Sequence, residues 1–130
     1  MARQSTNFHI FRGDTQPVWL DFTIGGLPLN IAGHSLYLTM KANMNDSDAA
    51  AAFQKKIVIP DDEESQAGRC TLIIESSESD EIEPGRYFYD MQRVAPGNPP
   101  IVQTFISGIM LVLADVTRTT REEVFGPDHQ

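Results

Sequence analysis

The chain is poor in the residues that usually announce chemistry. Its 130 residues contain one cysteine, Cys70, which excludes an intrachain disulfide and any multi-cysteine zinc site. Three histidines, His9, His34 and His129, are widely spaced and form neither HxH nor HExxH, so no zinc centre is suggested. Ten scattered basic residues face 18 acidic ones, giving a net charge of −8 and a pI near 4.7. Duplex binding lacks its usual electrostatic basis on such a chain, and no nucleic-acid partner is expected. The longest apolar run, residues 109–114, falls far short of the roughly 20 residues a membrane-spanning helix needs. The segment ARQSTN after Met1 has no signal-peptide core. A soluble protein synthesised in a cytoplasm, with no membrane partner, is the expectation. Hydrolase and nucleotide signals are missing too. Ser107 sits in ISG rather than a Gly-x-Ser-x-Gly elbow, and Gly25-Gly26 lacks the Gly-Lys-Ser/Thr and helix of a phosphate loop.

What is present is strand pattern. The hydrophobic share of 41% and charged share of 22% suit one ordinary globular domain. The chain is organised around residues 11–41, where Val18, Leu20 and Phe22 alternate with Trp19 and Asp21, and a second alternation runs from Ser35 to Lys41. Period-two alternation is the mark of a half-buried strand. The Gly- and Pro-bearing corner between them makes the pair read as a hairpin-like unit of an antiparallel sheet. Whether Trp19 is covered or exposed stays open. Further strands are expected over residues 8–11, 53–59, 69–75, 86–94 and 101–116, the last as two strands or as one bent at Ser107-Gly108. Residues 43–52 read as a helical turn capped by Asp46 or Ser47, or as an irregular crossover. Residues 61–64 and 76–83 read as solvated acidic connections.

Seven or eight strands without a sustained helical period predict an all-β fold, an immunoglobulin-like antiparallel β-sandwich with no disulfide. The Cys…Trp…Cys spacing of true immunoglobulin domains is absent, so the likeness is architectural. The expected organisation is a polar N-terminal arm at 1–7, a sandwich at 8–118 and a C-terminal tail at 119–130. The arm is expected to be flexible or to dock on a neighbour. The predicted core is Val18, Leu20, Phe22, Leu36, Leu38, Leu72, Ile74, Tyr87, Tyr89, Leu111 and Leu113.

Several motifs spell chemistry but have plainer readings. Arg12-Gly13-Asp14 matches an adhesion tripeptide, yet it also reads as a strand end followed by turn formers. Asn45-Asp46-Ser47 fits a glycosylation acceptor but has no secretory signal to go with it. Nine of the 18 acidic residues lie within 61–83, but EF-hand spacing fails. Counted from Asn43 the sixth and twelfth positions are Asp48 and Gln54, and from Asp61 they are Gln66 and Leu72, where glycine and glutamate are needed. Cys70 shares a strand with Leu72 and Ile74 and reads as a small buried side chain. Trp19, Tyr37, Tyr87, Phe88 and Tyr89 either line a sugar-binding platform or fill the core. No catalytic, cofactor-binding or metal-binding residue is assigned. The assigned partner-binding residues are Val124 and Phe125, an apolar pair in an otherwise polar tail.

Four segments taken together resemble a known family. They are Phe11-Arg12-Gly13-Asp14-Thr15, the corner 21–32, Pro84-Gly85-Arg86-Tyr87-Phe88-Tyr89-Asp90, and GIMLVLADVTR at 108–118. The combination is similar to tailed-phage structural proteins, and within them to the N-terminal domain of phage baseplate upper proteins. That resemblance implies a β-sandwich that attaches larger tail parts to the virion, without catalytic residues. The chain departs from the family by ending at Gln130 with no coiled coil or receptor-binding region following. It implies a non-enzymatic virion adaptor in several symmetric copies, with other virion proteins as partners. A carbohydrate- or receptor-binding module, a capsid decoration protein and a small hydrolase are the rival readings.

Overall fold

The computed structural model describes residues 4–116. In chain order the elements are β1 (Gln4–Ser5), β2 (Phe8–Phe11), β3 (Gln16–Asp21), β4 (Thr23–Ile24), β5 (Leu27–Pro28), β6 (Ser35–Lys41), a 3-10 turn (Asp48–Ala50), β7 (Phe53–Val58), α1 (Glu63–Gln66), β8 (Arg69–Ile74), α2 (Ser76–Ser79), β9 (Gly85–Ala95) and β10 (Ile101–Leu113). The fold is an all-β sandwich. Its large sheet runs β1-β10-β9-β6-β7, with β2 sharing the β1 edge of β10, and its small sheet is β3 with β8. All pairings are antiparallel except those of β1 and β2, which lie parallel to β10.

Alternation builds the core. In β6, Leu36, Leu38 and Met40 are buried and the residues between them half-buried. In β9, Tyr87, Tyr89, Met91 and Arg93 point inward. Val18, Phe22, Leu72 and Ile74 meet them from the small-sheet side, and Phe22 sets its ring edge-on to Phe105 at 4.8 Å. Complete burial of each such side chain contributes about 1.5–3 kcal/mol. The hydroxyl of Tyr87 donates to the carbonyl of Glu83 just before the strand begins, the corner bond of immunoglobulin-like sandwiches. Tyr89, two residues on, stands where those domains place the second cysteine, and its hydroxyl donates to the carbonyl of Thr6.

Two glycines are fixed by close approach. A Cβ on Gly68, whose φ is +85°, would lie 2.3 Å from the carbonyl oxygen of Phe22. A Cβ on Gly108 would lie 2.2 Å from the carbonyl oxygen of Thr6. Gly108 therefore lets the N-terminal segment lie on β10, and residues 4–7 are edge structure of the large sheet. The Thr6 N–H donates to the Ser107 carbonyl, and the Ile109 N–H donates to the Asn7 side chain.

The structure corrects several expectations. The strands at 16–21 and 35–41 are not a hairpin: β3 pairs β8, whereas β6 pairs β7 and β9 in the other sheet. The corner between them, with its own small β4–β5 pair, carries the chain across the sandwich. The last strand is continuous from 101 to 113, and its irregularity falls between Thr104 and Ile106 rather than at Ser107-Gly108. That extra residue puts both Phe105 and Ile106 inside and sets the inward face as Met110 and Val112. Leu111 and Leu113, expected in the core, lie on the outer face. Leu20 is only half-buried.

The acidic connections are also more ordered than solvated loops. In α1 the Asp62 side chain accepts from the Ser65 N–H at 2.8 Å and the Ser65 hydroxyl accepts from the Asp62 N–H, a reciprocal cap. In α2 Ser79 is buried, as is Ile82 just beyond it. The 3-10 turn follows Ser47, whose side chain makes no cap bond.

Candidate functional site

The turn at 12–14 is held by α2. The Gly13 N–H donates to Ser79 Oγ at 2.9 Å, Ser79 Oγ donates to the Asp14 carbonyl at 2.8 Å, and Ser76 Oγ donates to the Gly13 carbonyl at 2.6 Å. Arg12 Nε donates to the Asp80 carbonyl at 2.8 Å. The Arg-Gly-Asp tripeptide is thus a clamped strand connection, with its glycine backbone already occupied by the chain's own serines.

A buried cation sits at one end of the core. Arg93 is 8% exposed, and its guanidinium carbon stands 5.8 Å from the centre of the Phe22 ring. Nη2 donates to Gln103 Oε1 at 2.9 Å, and Nη1 lies 2.9 Å from His34 Nδ1. Guanidinium has donors only, so His34 Nδ1 accepts and its proton resides on Nε2. Desolvation, reinforced by the Arg93 charge, lowers the His34 pKa from 6.5 and favours the neutral ring. Desolvation also lowers that of Arg93. The arrangement uses His34 as a structural acceptor.

Among the described residues no reactive constellation forms around the remaining titratable groups. Burial pushes the Cys70 thiol up to about 11, which leaves it protonated and weakly nucleophilic at neutral pH. Burial alone would raise the Glu78 pKa. Its hydrogen bonds from Lys55 and the Glu75 N–H, with the Lys55 charge, outweigh that and lower it. Lys55 Nζ stands 2.6 Å from Glu78 Oε1. Among the described residues no group of three or more His, Cys, Asp or Glu is placed to hold a metal ion. Among them, too, no helix is long and apolar enough to cross a membrane.

What the fold does present is surface. Trp19 projects from the small sheet with 77% of its surface exposed, opposite Thr71. Because that sheet has only two strands, grooves open on both sides of it. One of about 630 Å³ lies toward Ile57 and Ile59, and one of about 530 Å³ toward Phe8, Phe105 and Ile106. Trp19 lines both. On the far side of the molecule, the outer face of the large sheet sets Phe11 beside Leu113, Leu111 beside His9 and Arg86, and Ile109 beside Phe88. Its opposite end carries Val102, Val94 and Val58 around Ser35. Polar pairs separate the two ends, with Gln54 Nε2 on Thr39 Oγ1 and Gln92 Nε2 on Thr104 Oγ1.

The five aromatic residues do not gather into one platform. Tyr87 and Tyr89 are core, Tyr37 and Phe88 belong to the outer face of the large sheet, and Trp19 stands alone on the small one. Val124 and Phe125 lie outside the described residues. The apolar outer face of β10 was missed from sequence, although the signal was present as unbroken apolar character over residues 109–114.

No protein-family model matches the chain, and no curated protein matches its sequence. Among solved structures the chain is similar to the N-terminal domain of phage TP901-1 ORF48. The TM-score is 0.49 at 12% identity, over 87% of this chain and 99% of that one. It is also similar to a structure from a photo-crosslinking study of multimeric cell-adhesive interactions of VGSC beta subunits. There the TM-score is 0.38 at 8% identity, over 87% of this chain and 93% of that one. Likenesses this distant assign no role.

Proposed function

We propose that the chain is a non-enzymatic structural protein of a tailed-phage virion, an assembly adaptor in the tail, baseplate or neck that works through protein–protein contacts. The observation that carries this reading is the apolar side chains standing on sheet faces. Trp19, Val58, Val102 and Phe11 all keep much of their surface exposed, and broad contact with another protein is what covers such faces. The four sequence segments that resemble phage structural proteins supply the class of partner, other virion proteins, and the expectation of several symmetric copies. The clamped 12–14 turn and the β9 strand, two of those segments, serve the fold itself.

Val124 and Phe125 complete the proposal as the anchor of the tail on an adjacent subunit or on a different virion protein. Full burial of the two side chains contributes about 1.5–3 kcal/mol each, against the cost of ordering the segment. The test is deletion of residues 119–130, with particle incorporation and domain stability both measured. Reduced incorporation of a stably folded domain is expected. Unchanged incorporation would refute the anchor, and loss of domain stability alone would show that the tail folds back on its own sandwich.

A further inference from the structure

The second half of β10 is apolar on both faces. Met110 and Val112 fill the core, while Ile109, Leu111 and Leu113 line the outer face with Phe11 and Phe88 beside them. A sheet with one wet face alternates apolar and polar residues, whereas a strand covered on both sides reads as a continuous apolar run. Among the described residues only Met44 and Asp48 reach over this face, sharing a shallow recess with Phe88 and Asp90 near its polar middle, and the two apolar ends stay open. Phe11, Leu111 and Leu113 keep 46%, 40% and 37% of their surface, and at the other end of the same face Val58 and Val102 keep 63% and 56%.

The geometry points to a second copy of this chain as the cover, packed outer face to outer face about a two-fold axis. Such a contact is self-complementary, because each copy offers the same two apolar ends and the same polar middle. The area is sufficient. Five strand positions abreast, at about 4.8 Å spacing and about 3.3 Å rise over some seven residues, cover roughly 550 Å² per copy and about 1,100 Å² for the pair. A specific contact needs about 1,000 Å². Stacked sheets lie about 10 Å apart, which leaves room for Leu111, Phe11, Val58 and Val102 to interdigitate. Lys56 and Arg86 lie 5.5 Å from the centres of the Tyr37 and Phe88 rings on this face. Their alkyl stems add apolar cover at the rim while their charges stay in water.

Charge sets the salt dependence. Each copy carries a net charge of −8, so two copies repel at long range and screening favours their approach. A face that instead received an acidic partner through Arg86 and Lys56 would be weakened by salt.

Sedimentation velocity on the full chain, over a concentration series at low and high salt, reads this directly. A dimer is expected that strengthens with salt. Leu111→Asp at one end of the face and Val58→Asp at the other should each weaken it at least about tenfold, with circular dichroism unchanged. Both positions are exposed, and should one substitution unfold the chain, the other keeps the test intact. A monomer at every concentration overturns the inference, as does a dimer indifferent to both substitutions or one that dissolves in salt. A dimer lost in Phe125→Ala but kept in Leu111→Asp also overturns it, by assigning the contact to the tail. Failure here leaves the virion role to be judged by particle incorporation alone.

Discussion

Alanine substitution of Met110 and Leu111, one at a time, separates the inner face of β10 from the outer. Met110 is 1% exposed and packs in the central core, so Met110→Ala removes buried atoms and leaves a void among rigid neighbours. Cavities of that kind cost about 2–5 kcal/mol. Leu111 keeps 40% of its surface and borders solvent, so truncation loses part of a transfer energy and creates no enclosed hole. A cost of about 1–1.5 kcal/mol follows for Leu111→Ala. The assay is urea unfolding at low protein concentration, where no intermolecular contact covers Leu111. With a slope of about 1–3 kcal/mol per molar, a 3 kcal/mol loss moves the midpoint by about 1–3 M, well outside error. Equal losses, or a larger loss for Leu111→Ala, would refute the register and return Leu111 to the core.

Four further outcomes follow from the geometry. Ser79→Ala strips the Gly13 N–H and the Asp14 carbonyl of their partner and should cost about 1–3 kcal/mol in chemical unfolding, whereas a silent substitution would show that α2 does not hold the turn. Asp62→Ala should cost about 1 kcal/mol through loss of the α1 cap. Asn or Gln at Asp61, Glu63 and Glu64 should change stability little, and a large calcium-dependent rise in melting temperature abolished by those changes would instead identify a cation site. For pH, the folded His34 pKa lies below 6.5, so the unfolded chain takes up the proton first and stability falls as pH drops through and below that value. Glu78 acts lower, because its depressed pKa makes stability fall only as pH passes down through the carboxylate range. Unfolding midpoints at pH 7.5 and 5.5 should therefore differ less in His34→Asn than in the unaltered chain, and an identical pH response would contradict the Arg93–His34 contact.

How legible these features were depended on whether a face alternates. β6 and β9 were readable because apolar and polar residues alternate along them, and the same alternation put Arg93 on the inward side without saying what would receive it. β10 was not readable from 109 to 114, since neither face is polar and only the bulge near Phe105 fixes the register. The partnership of β3 with β8 rather than β6 is a long-range choice that local pattern does not encode. The cap at α1 carried a usable signal, Asp62 three residues before Ser65, hidden in a run of acids. Ser79 and Ile82 were hidden the same way, because composition marked their segment as solvated while two tertiary bonds and the core claimed those side chains. The exposure of Trp19 follows from the narrow small sheet, which sequence does not reveal.

Three-dimensional reconstruction of purified phage particles, together with their protein inventory, decides whether the chain is a structural protein of the particle. The chain is expected as a stoichiometric component, with a sandwich of the described topology repeated at a symmetric site and other virion subunits seated on its exposed sheet faces. Absence of the chain from purified particles, or its presence with Trp19 and the outer face of β10 both open to solvent at every copy, would contradict that role.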